Sequence, residues 1–202
     1  MSETTRERLL QVARRQFAER GYYGASIASI ADALGLTKQA LLHHFGSKEK
    51  LYGEVLAAIA TRLTRHATRA RDAGDDPVAQ LEAVVVSRAD DAPEDVLDAQ
   101  LLMRELLDNA PRAEAATTWY LKPYLEELVA MVRRIPGEEA LDDAEALATI
   151  YQLLGAANYL AMSGPTLTRM FGADAFGSLE ARYPAVLRRL IRARFAGDSA
   201  GE

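Results

Sequence analysis

Apolar side chains recur along this chain at three- and four-residue intervals, the period of a helix with one buried face. Val84-Val85-Val86 is the only β-branched run, and it sits inside such a pattern, so no strand is expected. Thr4 and Glu7 have the spacing of a capping box, and Leu9 or Leu10, Ala13 and Phe17 follow on one face up to Arg20-Gly21-Tyr22. Ser26 stands where an N-cap would, ahead of Ile27, Ile30, Ala31 and Leu34. Gly35 suits a tight corner, Thr37 caps a second short helix with Leu41 and Phe45 one turn apart, and Gly46-Ser47 closes it. A fourth, long helix carries Leu51, Val55, Ala58, Ile59 and Leu63 into the basic stretch Arg62–Arg71. Beyond Gly74, proline and glycine punctuation predicts helices near 77–89, 93–108, 111–135, 139–163 and 180–196, with a short turn at 166–171. Pro123 is expected to kink the third of these, and the Gly/Ser/Asp tail 197–202 to fray.

Composition narrows the class without changing the elements. A 202-residue chain that is 49% hydrophobic and 26% charged is globular rather than disordered. It holds no cysteine, hence no disulfide framework and no Cys-ligated zinc. No apolar run approaches the roughly 20 residues of a membrane span, and MSETTRERLLQ lacks signal-peptide order, so a cytoplasmic location is expected. The net charge of −5 conceals an asymmetry. Residues 1–50 carry eight Lys and Arg against five Asp and Glu, a net +3, while the remainder carries 16 against 24, a net −8. A basic head on an acidic body suits a protein that meets phosphate at one end.

Two short helices separated by a glycine corner are the sequence form of a helix-turn-helix, whose second helix enters the DNA major groove. Gly21-Tyr22, Ser26-Ile27, Ile30-Ala31, Gly35-Leu36, Leu41, His44-Phe45, Ser47-Lys48-Glu49 and Leu51 together resemble the DNA-binding domain of TetR-family transcriptional regulators. The resemblance covers roughly residues 5–60 without gaps. It implies an all-α fold: a helix-turn-helix domain at 1–60, motif at about 26–45, joined to a helical ligand-binding and dimerisation domain at 61–202. It also implies a homodimeric repressor that leaves a palindromic double-stranded operator when a small molecule binds the C-terminal domain.

Carried over residue by residue, the resemblance places Thr37, Lys38, Gln39, Ala40, His43 and His44 on the groove-facing helix, with Ser26 and Lys48 holding phosphates. Lysine suits guanine acceptors or phosphate, and glutamine can pair bidentately with adenine. Many family members have tyrosine where Leu42 stands, and leucine cannot donate a hydrogen bond to phosphate. Leu42 is therefore expected against sugar or a thymine methyl. His43 and His44 are neighbours on a helix and point about 100° apart, so they do not chelate one metal ion.

In the C-terminal half, Met103, Leu107, Trp119, Tyr120, Tyr124, Tyr151, Asn158, Tyr159 and Met162, with Met131, are either core or the lining of a largely apolar effector cavity. Arg104 either pairs at the surface with Glu105 or Asp108 or faces an anionic ligand. Gly155-Ala156-Ala157 permits close packing, within the subunit or across an interface built from the helices near 139–163 and 180–196. No G-x-S-x-G, P-loop, G-x-G-x-x-G or H-E-x-x-H pattern is present, so no catalytic residue, metal or cofactor is expected. The alternative readings are a helix-turn-helix adaptor and an activator without a small-molecule effector.

Overall fold

The computed structural model describes residues 4–88, 93–107 and 118–196. Among these the elements are all helical: α1 Thr5–Gly24, α2 Ile27–Asp32, α3 Lys38–Phe45, α4 Lys48–Arg71, α5 Pro77–Ser87, α6 Pro93–Leu107, α7 Lys122–Arg133, α8 Asp143–Phe171 and α9 Ala173–Phe195. None is long and apolar enough to cross a membrane. Two compact units result, the first including residues 4–61 with 96–107 and 118–121, the second 62–88, 93–95 and 122–196. The return of 96–107 and 118–121 to the first unit is not visible in local periodicity.

In the first unit, Leu9, Ala13 and Phe17 of α1 are buried with Ile27 and Ile30 of α2, Leu41 and Phe45 of α3, and Leu51, Tyr52 and Val55 of α4. Each fully buried Leu, Ile or Phe contributes about 1.5–3 kcal/mol relative to exposure. The Thr4–Glu7 capping box forms in full. Gly21 takes φ 70° and breaks the regular path of α1. That break strips helical partners from the preceding carbonyls. Arg104 of α6 fills the gap, donating to the Ala18 carbonyl at 2.7 Å and the Glu19 carbonyl at 2.9 Å. It is therefore neither a surface partner of Glu105 nor a ligand-facing group, and the other expected partner, Asp108, lies outside the described residues. Glu105 instead accepts from the Tyr52 hydroxyl at 2.6 Å. On the same helix, fully buried Asp98 pairs with Arg14 of α1.

In the second unit α5 packs on α7, α8 and α9, and α8 packs on α7 and α9. Leu81, Val84 and Val85 of α5 meet a core of Leu128, Met131 and Val132, Ile150 and Leu153, and Leu187 and Ile191. Glu82 is buried and held by Arg192 at 2.8 Å and Arg188 at 3.3 Å.

Prolines account for the departures from the expected helices. Pro123 lies in the first turn of α7, where its missing N–H has no helical acceptor to lose, so it starts the helix rather than kinking it. The expected segment before it falls largely on residues 108–117, outside the described residues. Gly164-Pro165 does not end a helix: α8 runs through it to Phe171, and α9 runs through Pro184. An interior proline costs about 3 kcal/mol in isolation, a penalty tertiary packing can outweigh. A Cβ at Gly164 would stand 3.2 Å from the Phe176 ring, so the glycine admits α9 at close range. The break comes at Gly172, whose φ of 89° suits only glycine and whose N–H returns to the Thr168 carbonyl at 2.9 Å.

Asp98→Ala should destabilise the protein by about 3–5 kcal/mol, because Arg14 then lacks its buried carboxylate. Glu126→Ala, which removes an exposed i,i+4 partner of Lys122, should cost about 0.5 kcal/mol or less. Urea unfolding of both variants measures the contrast.

Candidate nucleic-acid interface

The helix-turn-helix begins each of its helices on a side-chain cap. Ser26 Oγ accepts from the Ser29 amide at 3.0 Å, Thr37 Oγ1 from the Ala40 amide at 3.1 Å, and Ser47 Oγ from the Lys50 amide at 3.1 Å. Gly35 and Gly46, at φ 68° and 78°, turn the chain before and after α3, where a side chain would strain the backbone. Buried Gln16 of α1 donates to the Ser29 carbonyl at 3.1 Å and ties α2 in place.

These constraints leave one face of α3 outward. Leu41 and Phe45 are buried, whereas Thr37, Lys38, Gln39, His43 and His44 are exposed and Ala40 and Leu42 half-buried. At about 100° per residue, Gln39 and His43 point roughly opposite the Leu41–Phe45 seam, with Lys38 and Leu42 on one flank and Ala40 and His44 on the other. The outer face thus offers an amide and an imidazole one turn apart, with an ammonium on its flank, and these can donate to and accept from base edges. The His43 and His44 rings lie edge-on, 6.1 Å apart. Among the described residues no His, Asp and Glu cluster could hold a metal ion.

Lys48 opens α4 with its ammonium 4.7 Å from the centre of the Tyr22 ring. Partial burial lowers its pKa from the ordinary lysine value. Tyr22 meets Tyr52 at 5.1 Å and Tyr23 at 5.3 Å, so the lysine rests on an aromatic cluster rather than swinging free. Periodicity does not reveal this support, because Tyr22 lies on α1, far from Lys48 in sequence, and meets it only in the fold. Arg6 likewise lies over the Phe45 ring at 5.0 Å and pairs with Glu54.

The proposed effector-lining residues do not gather in one place. Met103, half-buried on α6, and Trp119 and Tyr120 belong to the first unit. Trp119 is largely exposed, and the Tyr120 hydroxyl stands 2.7 Å from where a Gly53 Cβ would be. The Leu107 side chain lies outside the described residues. In the second unit Tyr151 and Tyr159 point to solvent, Asn158 and Met162 are half-buried, and Tyr124 is buried. A cavity of about 180 Å³ opens in this unit, lined by arginines rather than by the expected aromatics and thioethers; of the described members of the set, Tyr124 alone lines it. The basic run noted on the fourth helix was the sequence signal for this lining.

Residues 9–55 match the family described as "Bacterial regulatory proteins, tetR family". The HTH-type transcriptional repressor AcnR of Corynebacterium efficiens is 42% identical over 59 residues, 29% of this chain and 31% of that protein. The match therefore spans about a third of that relative's length. The TetR-family regulator PfmR of Thermus thermophilus superposes with a TM-score of 0.62 at 25% identity, covering 99% of this chain and 100% of that one. The ketosteroid transcriptional regulator KstR2 of Mycobacterium tuberculosis shares the fold, with a TM-score of 0.65 at 19% identity over 94% of this chain and 95% of that one. The N-terminal helix-turn-helix domain, residues 9–55, is thus the part of the chain that matches the TetR family of bacterial regulatory proteins.

Proposed function

We propose that this protein is a homodimeric transcriptional repressor that binds a palindromic operator and leaves it when a small molecule binds. The observation that carries the reading is α3, an eight-residue helix pinned at both ends with Lys38, Gln39 and His43 turned outward. Gln39 and His43 contact base edges; Lys38 reaches a guanine or a phosphate. Thr37, Ala40, Leu42 and His44 border the groove, Leu42 against sugar or a thymine methyl. Ser26 and Lys48 hold phosphates from the N-termini of α2 and α4.

The last two helices supply the dimer contact. Leu147, Tyr151 and Tyr159 recur at turn spacing on α8 and are exposed, and a Cβ at Gly155 between them would meet nothing within 4 Å. Leu179, Val186 and Leu190 of α9 are exposed as well. Apolar side chains on two neighbouring helices favour burial against a second copy. The effector acts only if it binds the DNA-incompetent arrangement more tightly, since equal affinity for both shifts nothing.

Selection of duplexes from a random pool by the full chain tests the central claim; no enrichment over random sequence at moderate salt would refute it. On a selected site, Lys48→Ala should weaken binding evenly across sequences, whereas Gln39→Ala should change the preferred base at one position of each half-site by about 1–3 kcal/mol. Equal loss on all sequences from both would overturn the division of roles. Tyr159→Glu should shift the protein from dimer to monomer in light scattering and reduce operator affinity at least tenfold.

A further inference from the structure

The 180 Å³ cavity of the second unit is walled by α4, the C-terminal end of α5 and α7. Four arginines line it: Arg62, Arg65 and Arg69 from α4, and Arg88 from the end of α5. No Asp or Glu is among its described lining residues. Positions 62, 65 and 69 share one helix face, where like charges three and four residues apart repel. Neither Arg65 nor Arg69 has a carboxylate partner among the described residues, although Arg71, two residues further, pairs with both Asp72 and Glu127. Repulsion between Arg65 and Arg69 without a counter-charge is a cost that an anion would remove.

A second, independent observation lies in the same wall. Tyr124 is 4% exposed, and its hydroxyl, buried, has no hydrogen-bond partner. Burial pushes its pKa up to about 12, with the Arg88 charge pulling the other way, so the phenol remains a proton donor at neutral pH. A buried hydroxyl left unsatisfied is costly, and an oxygen acceptor in the cavity would satisfy it. Arg88, itself buried, donates to Asn158 at 3.4 Å, and His66 meets the Ser87 hydroxyl at 3.0 Å, so the wall is organised beyond its charges.

We propose that this cavity is the effector site and that the effector presents an oxyanion, phosphoryl or carboxylate, to Arg62, Arg65, Arg69 and Arg88 with Tyr124 donating to it. The assignment rests on the regulator reading above and names the chemistry of its effector. Arginine forks fit both oxyanions bidentately. The volume is below the roughly 300–1,000 Å³ of sites that enclose drug-sized ligands, so the cavity takes a small anion or the charged head of a longer one.

The test is calorimetric titration of the full chain at constant ionic strength with inorganic phosphate, octanoate and neutral octanamide. Phosphate or octanoate should bind saturably at one site per chain, and octanamide should not. Phosphate alone identifies a phosphoryl group; octanoate alone identifies a carboxylate with an apolar tail. Arg65→Gln with Arg69→Gln, both at exposed positions, should weaken that binding at least tenfold. Tyr124→Phe should weaken it about fivefold with little change in melting temperature. The anion that binds should also release a selected duplex from the unsubstituted protein and not from the double variant. Absence of saturable anion binding, equal binding of octanamide, or anion affinity unchanged in the double variant would each overturn the assignment. If duplex selection succeeds while the anions fail, only the effector assignment falls; if no duplex is selected, the regulator reading falls.

Discussion

An eight-residue helix does not hold itself together in water, and the geometry around α3 follows from that constraint. Isolated helices shorter than about 12–15 residues are marginal because nucleation fixes several dihedrals for each hydrogen bond gained. The structure supplies what α3 lacks: a Thr37 cap at its start, Gly46 at its end, and Leu41 and Phe45 sunk into the core beneath it. The burial that stabilises the helix also sets its rotation, and the rotation decides that Gln39 and His43 face outward. A one-residue change in the apolar pattern would turn a different set of side chains to solvent.

The same economy governs the rest of the first unit. Gly21 redirects the chain after α1, and the carbonyls it leaves without helical partners are taken by Arg104 from more than eighty positions away. Asp98, earlier on the same helix, holds Arg14. These two contacts make α6 part of the unit that carries the helix-turn-helix, and they occupy charges that would otherwise be candidates for a ligand. Arginine is suited to such work because its planar fork spans two acceptors at once.

In the second unit, charge is distributed unevenly. Glu82, Glu127 and Glu138 each hold an arginine, and α8 and α9 also turn the apolar Leu147, Tyr151, Tyr159, Val186 and Leu190 outward beside exposed charges such as Arg182 and Arg189. Against that background of satisfied pairs, the arginine-walled cavity stands out. Its chemistry differs from an apolar pocket with a few anchors, since Arg65 and Arg69, one turn apart on α4, call for a counter-charge more than for shape.

The local features of this protein were set by sequence alone. The caps at Thr4, Ser26 and Thr37, the corners at Gly35 and Gly46, and the buried Leu41–Phe45 seam each depend on residues within one or two turns, so spacing reveals them. The helical class and the outward face of α3 follow from the same short-range rules. Tertiary structure decided the rest. Gly164-Pro165 reads as a terminator until Phe176 packs against it, Arg104 reads as a surface charge until α1 offers it two carbonyls, and Lys48 reads as free until Tyr22 lies beneath it. The basic stretch of α4 reads only as the end of a long helix until α5 and α7 wall a cavity against it. In each case the deciding partner lies beyond the reach of local periodicity, and a side chain's role there depends on what the fold brings within a few ångströms of it.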